Sequence, residues 1–405
     1  MFEYFKEYFD FKTFFIVLAL VAIGLISVYS ATYDARAGTI FERQLMWCGV
    51  GFLAMLVTAF LPLRTIQRLA MPAYFFMLAV LLFVLIIGRT VSGSRSWFGV
   101  GGMGGQPSEF AKVAAILMLA AFLAKSTTSL GELKHLFLAF GIVAVPTALV
   151  LAQPDLGTAS IFFLFLLPVL YWAGADNFVL TVVLSPIVVA AGALLGTVYF
   201  LLAVAVCGLA LYATKKNLLT AAVAFGVALV IGLSMQVVVD RMPTYQQKRI
   251  MAFLNPSVDP QGAGYNVLQS KVAIGSGGFL GKGYLRGTQT QLSFIPEQWT
   301  DFIFSVPGEE FGFVGASVVL ALCLGLLLHG LKIAAVAKNR FASIATVGVV
   351  GILAAHVAIN VGMAMGLMPV IGIPLPFLSY GGSALLASMI LAGLLMNFYA
   401  NRKEY

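Results

Sequence analysis

The residues that could do chemistry in this chain lie in a few short segments. In Phe294-Ile295-Pro296-Glu297-Gln298-Trp299-Thr300-Asp301-Phe302-Ile303-Phe304-Ser305, two acids stand just before an apolar run. Glu309 and Glu310 follow about two helical turns later. A carboxylate at the edge of an apolar region is costly and marks a functional site by default. Asp301 can act there as a general base, or serve as a helix N-cap. Glu309 and Glu310 suit a purely structural role equally well.

The basic candidates lie elsewhere. Gly93-Ser94-Arg95-Ser96-Trp97-Phe98 is followed by Gln106-Pro107-Ser108-Glu109-Phe110-Ala111-Lys112. Pro107 suits the first turn of a helix. Glu109 and Lys112 are then three apart on one face. They read either as a structural ion pair beside an interfacial Trp97, or as a site where Arg95 and Lys112 hold an anionic group. Lys271 lies in Gln269-Ser270-Lys271-Val272-Ala273-Ile274-Gly275-Ser276-Gly277-Gly278. Glycines let backbone N–H groups approach an anion, so a phosphate cradle around Lys271 and Ser276 competes with an ordinary Gly-rich turn. Pro374-Leu375-Pro376-Phe377-Leu378-Ser379-Tyr380-Gly381-Gly382-Ser383 reads as a rigid turn that caps a cavity. Asp155 reads as a helix cap. His329 and His356 have no partner at metal spacing and read as helix-packing residues. Cys48, Cys207 and Cys323 sit in apolar runs as small buried hydrophobes. Ser/His/Asp, phosphate-loop and dinucleotide motifs are not convincing here.

The elements that must position these residues are set by composition. Of 405 residues, 61% are hydrophobic and 10% charged, against about a quarter charged in soluble domains. This excludes a soluble enzyme, a disordered chain and a nucleic-acid-binding domain, and the net charge of +8 is no basic patch. Apolar runs cover 13–31, 44–61, 72–88, 108–124, 136–152, 158–174, 178–212, 218–239, 304–328, 341–364 and 379–398. As one helix the 178–212 run would be roughly 50 Å long, beyond a hydrocarbon core of about 30 Å. Gly192 and Gly196 near its middle predict a tight hairpin of two spans, giving about twelve in all. The fold expected is an all-α polytopic transmembrane bundle, and 1–405 reads as a single integral-membrane domain.

The basic residues orient it. With the N-terminus inside, Lys6, Lys12, Arg64, Arg68, Lys125, Lys134, Lys215, Lys216, Lys332, Lys338, Arg340, Arg402 and Lys403 all fall inside. The short outside loops hold Arg36, Arg43, Arg89 and Arg95. Lys/Arg bias in short loops sets orientation, so both termini are expected in the cytoplasm. The large loop 240–303 then lies outside and carries the charges Asp240, Arg241, Lys248, Arg249, Asp259, Lys271, Lys282, Arg286, Glu297 and Asp301. Its apolar residues, among them Ile250, Phe253 and Phe279, predict an ordered loop packed on the membrane surface. Function on the outer face follows.

Taken together, these segments resemble the SEDS family of bacterial cell-wall proteins, the RodA/FtsW group. The matching pieces are Gly24 to Ala31, Arg95-Ser96-Trp97, Gln106-Pro107-Ser108-Glu109, Gln153-Pro154-Asp155-Leu156-Gly157-Thr158, Gly262-Ala263-Gly264-Tyr265, Gln269 to Gly278, Pro296 to Phe304 and Pro374 to Ser383. They run from the first span to the last in family order. Gln269-Ser270-Lys271 and Gly281-Lys282-Gly283-Tyr284-Leu285-Arg286-Gly287-Thr288-Gln289 resemble the RodA elongation branch more than the FtsW division branch. Two departures stand out: the family usually has ten spans, so the region near 178–212 looks like an added hairpin, and it often has His where this chain has Trp299.

The resemblance implies a peptidoglycan glycosyltransferase that polymerises lipid II, a disaccharide-peptide on undecaprenyl pyrophosphate, during cell elongation. The family's essential acid maps onto Asp301, as general base or metal-positioning acid. Arg95, Trp97, Glu109, Lys112, Lys271, Ser276, Glu297 and Ser379 become candidate contacts to the pyrophosphate or the rest of lipid II. The implied reaction inverts the donor linkage and needs one base on the attacking side. A divalent cation, Mg or Mn, is the cofactor expected, with no organic cofactor. The partners implied are polyprenyl-linked glycan, a class B penicillin-binding protein and other elongation-complex membrane proteins; nucleic acid is not expected. A lipid II flippase and a non-catalytic scaffold are the rival readings.

Overall fold

The computed structural model describes residues 8–33, 38–91, 94–100, 103–215, 217–242, 244–254, 263–292 and 294–404. Lys6, Arg36, Gly93, Lys216, Asp259 and Gly262 lie outside the described residues. The chain is almost entirely helical. In order come α1 (Phe11–Thr32), α2 (Gly38–Phe60), α3 (Leu63–Ile87), α4 (Pro107–Leu123), α5 (Leu133–Ala152), α6 (Leu156–Trp172), α7 (Asn177–Leu195), α8 (Thr197–Thr214) and α9 (Leu218–Asp240). Short helices α10 (Thr244–Leu254), α11 (Ala263–Ser276), α12 (Thr288–Gln291) and α13 (Ser305–Glu310) follow, then α14 (Gly312–Val336), α15 (Arg340–Ala364) and α16 (Gly382–Ala400).

Among the described residues ten helices are long and apolar enough to cross a membrane. The 17-residue helices α4 and α6 complete a set of twelve, within the range of about 17–25 residues a span requires. The chain is therefore an integral membrane protein. Inside hydrocarbon every backbone group must find an internal partner, which helices provide. Local chemistry sets their ends. Asp10 caps α1, Asp155 caps α6 and Asn339 caps α15 through side-chain oxygens that accept backbone N–H groups. Pro107 opens α4 at its first turn.

The 178–212 run is two helices, α7 and α8, as the two glycines predict. Gly196 turns between them with φ +126, a conformation in which a side chain would be strained. Gly192 lets α8 approach so closely that a Cβ there would stand 2.7 Å from the Tyr199 carbonyl oxygen. With α9, this hairpin forms a satellite that packs mainly on itself around Val189, Ala203, Cys207 and Ala228. The centre of the bundle lies elsewhere: 72% of the α15 span is buried against 11% of the α8 span. Helix α4 is buried along most of its length, packed between α3, α15 and α16.

At the end of the bundle that carries the 240–303 segment, a small antiparallel sheet interrupts the helices. It comprises β1 (Arg89–Val91), β2 (Ser94–Val100) and β3 (Met103–Gly105), in that order. The alternation Ser94-Arg95-Ser96-Trp97-Phe98 suits a half-buried strand, a pattern that reads from sequence only as a loop.

Topology offers a direct check. Leu195→Cys, in a chain whose Cys48, Cys207 and Cys323 are buried and free, is expected to react with a membrane-impermeant maleimide added outside intact cells. Labelling only after permeabilisation would contradict the twelve-helix threading.

Candidate functional site

A cavity of about 530 Å³ opens at the end of the bundle where α10, the start of α11 and the small sheet gather. Trp97, Gln106, Asp155, Arg249, Glu297, Asp301 and Tyr380 are among the residues lining it. Asp301 is partly exposed into this space.

The turn that presents Asp301 is held by its backbone. The Trp299 carbonyl accepts from the Tyr380 N–H at 2.8 Å. The Thr300 carbonyl accepts from the Ser379 hydroxyl at 2.7 Å. The Asp301 carbonyl accepts from Asn360 Nδ2 at 3.0 Å, and the same amide donates to the Ile373 carbonyl at 2.8 Å. Ser379 Oγ also accepts the Leu375 N–H, while Gln44 donates to the Ser379 carbonyl. Three consecutive carbonyls are thus bound from behind, and the Asp301 carboxyl is left to the cavity. Burial, then the nearby Glu297 charge, push that carboxyl up to about 6, with Arg249 opposing. At neutral pH it is ionised and can accept a proton.

Gly372, with φ +75, stands between the two charges. A Cβ there would lie 3.5 Å from Asp301 Oδ2 and 3.9 Å from Arg249 Nη1. Arg249 on α10 is a further cavity residue, one that no sequence motif singles out. Its only signal was its place among the charges of the 240–303 loop. Opposite, Asp155 accepts from Thr158 N and Gln106 Nε2 at 2.9 and 2.6 Å. Burial raises its carboxyl despite the Thr158 hydrogen bonds.

The other candidates divide. Glu297 and Trp97 line the cavity. Glu297 takes φ +56 and accepts from the Thr300 hydroxyl at 3.3 Å. Ser379 stands behind the Asp301 turn. Arg95 does not face the cavity: its guanidinium donates to the Gly88 and Ile86 carbonyls at 3.0 and 3.1 Å. These are the unpaired acceptors at the C-terminus of α3, where a cation is stabilised.

Glu109 and Lys112 lie beneath the cavity as a buried ion pair at 2.9 Å. Lys112 Nζ also meets His356 Nε2 at 2.8 Å. An ammonium only donates, so Nε2 accepts and the ring proton sits on Nδ1, which donates to the Pro374 carbonyl at 3.1 Å. His356 is therefore more than a packing residue, since it ties α4 to the segment that supports Asp301.

The Gly-rich stretch after Lys271 is a packed turn rather than an anion cradle. The Gly277 N–H donates back to Ala273 and the Gly281 N–H to Gly277. A Cβ on Gly277 would meet the Glu309 backbone oxygen at 3.0 Å, so the glycines admit the 308–310 backbone. Ser276 donates to its own helix at Ala273. Lys271 lines a separate small pocket with Arg249. Glu309 is structural. Burial alone would raise its carboxyl, but Lys282, the Gln289 and Thr290 N–H groups and the Thr290 hydroxyl hold it below the usual range.

The cell cycle protein family of FtsW, RodA and SpoVE matches residues 11–195 and 177–404. Peptidoglycan glycosyltransferase RodA of Treponema pallidum is 37% identical over 97% of this chain and 98% of its own length. Peptidoglycan glycosyltransferase MrdB of Escherichia coli is 36% identical over 98% and 95%. A chain solved in a study of structural coordination of polymerization and crosslinking by a peptidoglycan synthase complex superposes with a TM-score of 0.74, at 29% identity over 98% of this chain and 99% of that one. The two matched stretches overlap at 177–195, which is α7, the first helix of the 178–212 hairpin.

Breaking a buried pair from one side strands a charge and costs about 3–5 kcal/mol. Glu109→Gln and Lys112→Met are each expected to lower the melting temperature in detergent markedly, and the double variant to recover much of the loss. Equal melting of the single variants and the parent chain would refute the buried pair.

Proposed function

Because the chain belongs to the FtsW, RodA and SpoVE family, we infer that it is a peptidoglycan glycosyltransferase, polymerising lipid II into glycan strands for cell elongation and shape. One observation carries the mechanism: an Asp301 carboxyl that faces a cavity of about 530 Å³ from a turn pinned through its backbone carbonyls. The acceptor sugar hydroxyl approaches Asp301 and attacks the anomeric carbon of the lipid-linked donor strand. Asp301 takes its proton, the new C–O bond forms, and the bond to the pyrophosphate breaks on the opposite face. This is the single-base geometry of an inverting transfer. Undecaprenyl pyrophosphate leaves as an anion and needs positive charge rather than a proton. Arg249 lines the cavity beside Asp301. Trp97 and Tyr380, which also line the cavity, supply aromatic surface for sugar rings.

A divalent cation, Mg or Mn, belongs to this reading. Among the described residues no group of three or more His, Cys, Asp or Glu gathers. In the alternative role of Asp301 as metal-positioning acid, Asp301 and Glu297, which both line the cavity, would supply the one or two carboxylates that Mg uses when substrate phosphates complete its shell. When bound, such an ion neutralises pyrophosphate charge. The reaction runs at the outer face of the cytoplasmic membrane, with both termini inside, in company with a class B penicillin-binding protein and other elongation-complex membrane proteins.

Purified protein with labelled lipid II in detergent is expected to make glycan strands. Asp301→Asn should lower the rate by roughly 10²–10⁴-fold, the contribution of a general base. Chelation should stop the reaction and added Mg or Mn restore it. Polymerisation that survives Asp301→Asn would overturn the catalytic assignment. Movement of lipid II across liposomes without polymerisation would favour a flippase.

A further inference from the structure

The satellite of α7, α8 and α9 leaves a cleft of about 270 Å³ where it meets α10. Leu194 and Phe200 of the hairpin, Leu233 and Val239 of α9, and Ile250 and Met251 of α10 wall it. Among the described residues its polar lining is Thr197, just past the hairpin turn, and Asp240, at the end of α9. The cleft therefore lies at the same end of the bundle as the 240–303 segment. Its surroundings face hydrocarbon, since Leu233 is 67% exposed and Val198, beside Thr197, 69%.

Helix α10 stands between this cleft and the catalytic cavity. It has only 11 residues, fewer than the roughly 12–15 at which an isolated helix becomes even marginal in water, so its neighbours hold it in place. Gln246 and Arg249 line the catalytic cavity, and Gln246 Nε2 donates to the Pro154 carbonyl at 3.1 Å. Met251 lines the cleft, and Ile250 lines both spaces. What fills the cleft therefore bears on the helix that carries Arg249.

An unfilled apolar cleft forfeits dispersion contacts along its walls, and beside a bilayer the available filler is an acyl chain. The volume falls short of the roughly 300–1,000 Å³ that encloses a drug-sized ligand, which suits a slender chain. Asp240 selects the head of that lipid. It is exposed, as is Arg241 next to it. A carboxylate here repels an anionic headgroup and attracts an ammonium, while the neighbouring guanidinium suits the lipid phosphate.

We propose that the cleft between the satellite and α10 is a regulatory lipid site: it takes one acyl chain of an amine-headed phospholipid, and its occupancy steadies α10 and so Arg249 in the catalytic cavity. The regulatory half rests on the polymerase reading above; the binding half does not.

Native mass spectrometry of the full-length chain in detergent, titrated with phosphatidylethanolamine or phosphatidylglycerol, tests the site. Phosphatidylethanolamine should bind the more tightly. Asp240→Asn should weaken it about two- to fivefold, the measure of an exposed ion pair, and should not weaken phosphatidylglycerol. Thr197→Trp, which fills the cleft, should weaken phosphatidylethanolamine about tenfold or more, as the loss of about two buried methylenes would, whereas Thr197→Ser should bind like the parent. In phosphatidylglycerol vesicles with labelled lipid II, added phosphatidylethanolamine should raise kcat/KM about fivefold, the low end of coupling between sites, and Thr197→Trp should remove that response. Undiminished phosphatidylethanolamine binding in Thr197→Trp would overturn the site. Phosphatidylglycerol binding as tightly would overturn the amine-headed assignment. Cleft-dependent binding with an unchanged rate would overturn the regulation. Cleft-dependent binding without glycan synthesis in any membrane would sink the polymerase reading and leave the lipid site standing.

Discussion

The structure depends on three consecutive backbone carbonyls, those of Trp299, Thr300 and Asp301, each bound by a donor from a distant part of the chain. Left without partners at this depth, each would cost about 1–3 kcal/mol. Their donors come from Tyr380 and Ser379 before α16 and from Asn360 within α15. Ser379 is in turn held by Gln44 on α2. Helices far apart in sequence therefore converge to fix one turn. Its side chain is left with little to do but face the cavity, as a preorganised site requires.

A second network supports the first from below. Glu109, Lys112, His356 and the Pro374 carbonyl form a continuous chain of polar contacts through an apolar interior. Such groups are tolerated only when each is satisfied. The chain links α4, α15 and the 374–381 segment, which carries Ser379 and Tyr380. The positive charges thus divide by role: Lys112 and Arg95 hold scaffold, whereas Arg249 and Lys271 face cavities.

The spans were legible because hydrocarbon demands long apolar helices, and the hairpin because a 35-residue run is too long for a hydrocarbon core of about 30 Å and has two glycines, at 192 and 196, near its middle. The place of Asp301 at the cavity was legible because an acid beside an apolar run is rare. The roles of Arg95, Lys112 and the Gly275–Gly278 stretch were not. A basic residue that binds carbonyls or an acid looks the same in sequence as one that binds phosphate. A glycine that admits the 308–310 backbone looks like one that admits an anion. Nothing in the sequence marks Arg249 or Asn360 as site residues, and His356 reads there as a packing residue, because their value lies in contacts with residues 13 to 244 positions away, or across a cavity wall. Only the fold brings these together.

In the proposed reaction Asp301, held by its own backbone, receives the proton of the attacking sugar hydroxyl. A structure of the Asp301→Asn chain with lipid II bound tests it most directly. An acceptor sugar hydroxyl is expected within hydrogen-bond distance, about 3 Å, of the side chain at 301, with a pyrophosphate directed toward Arg249. A disaccharide seated away from residue 301, with its hydroxyl facing another base, would contradict it.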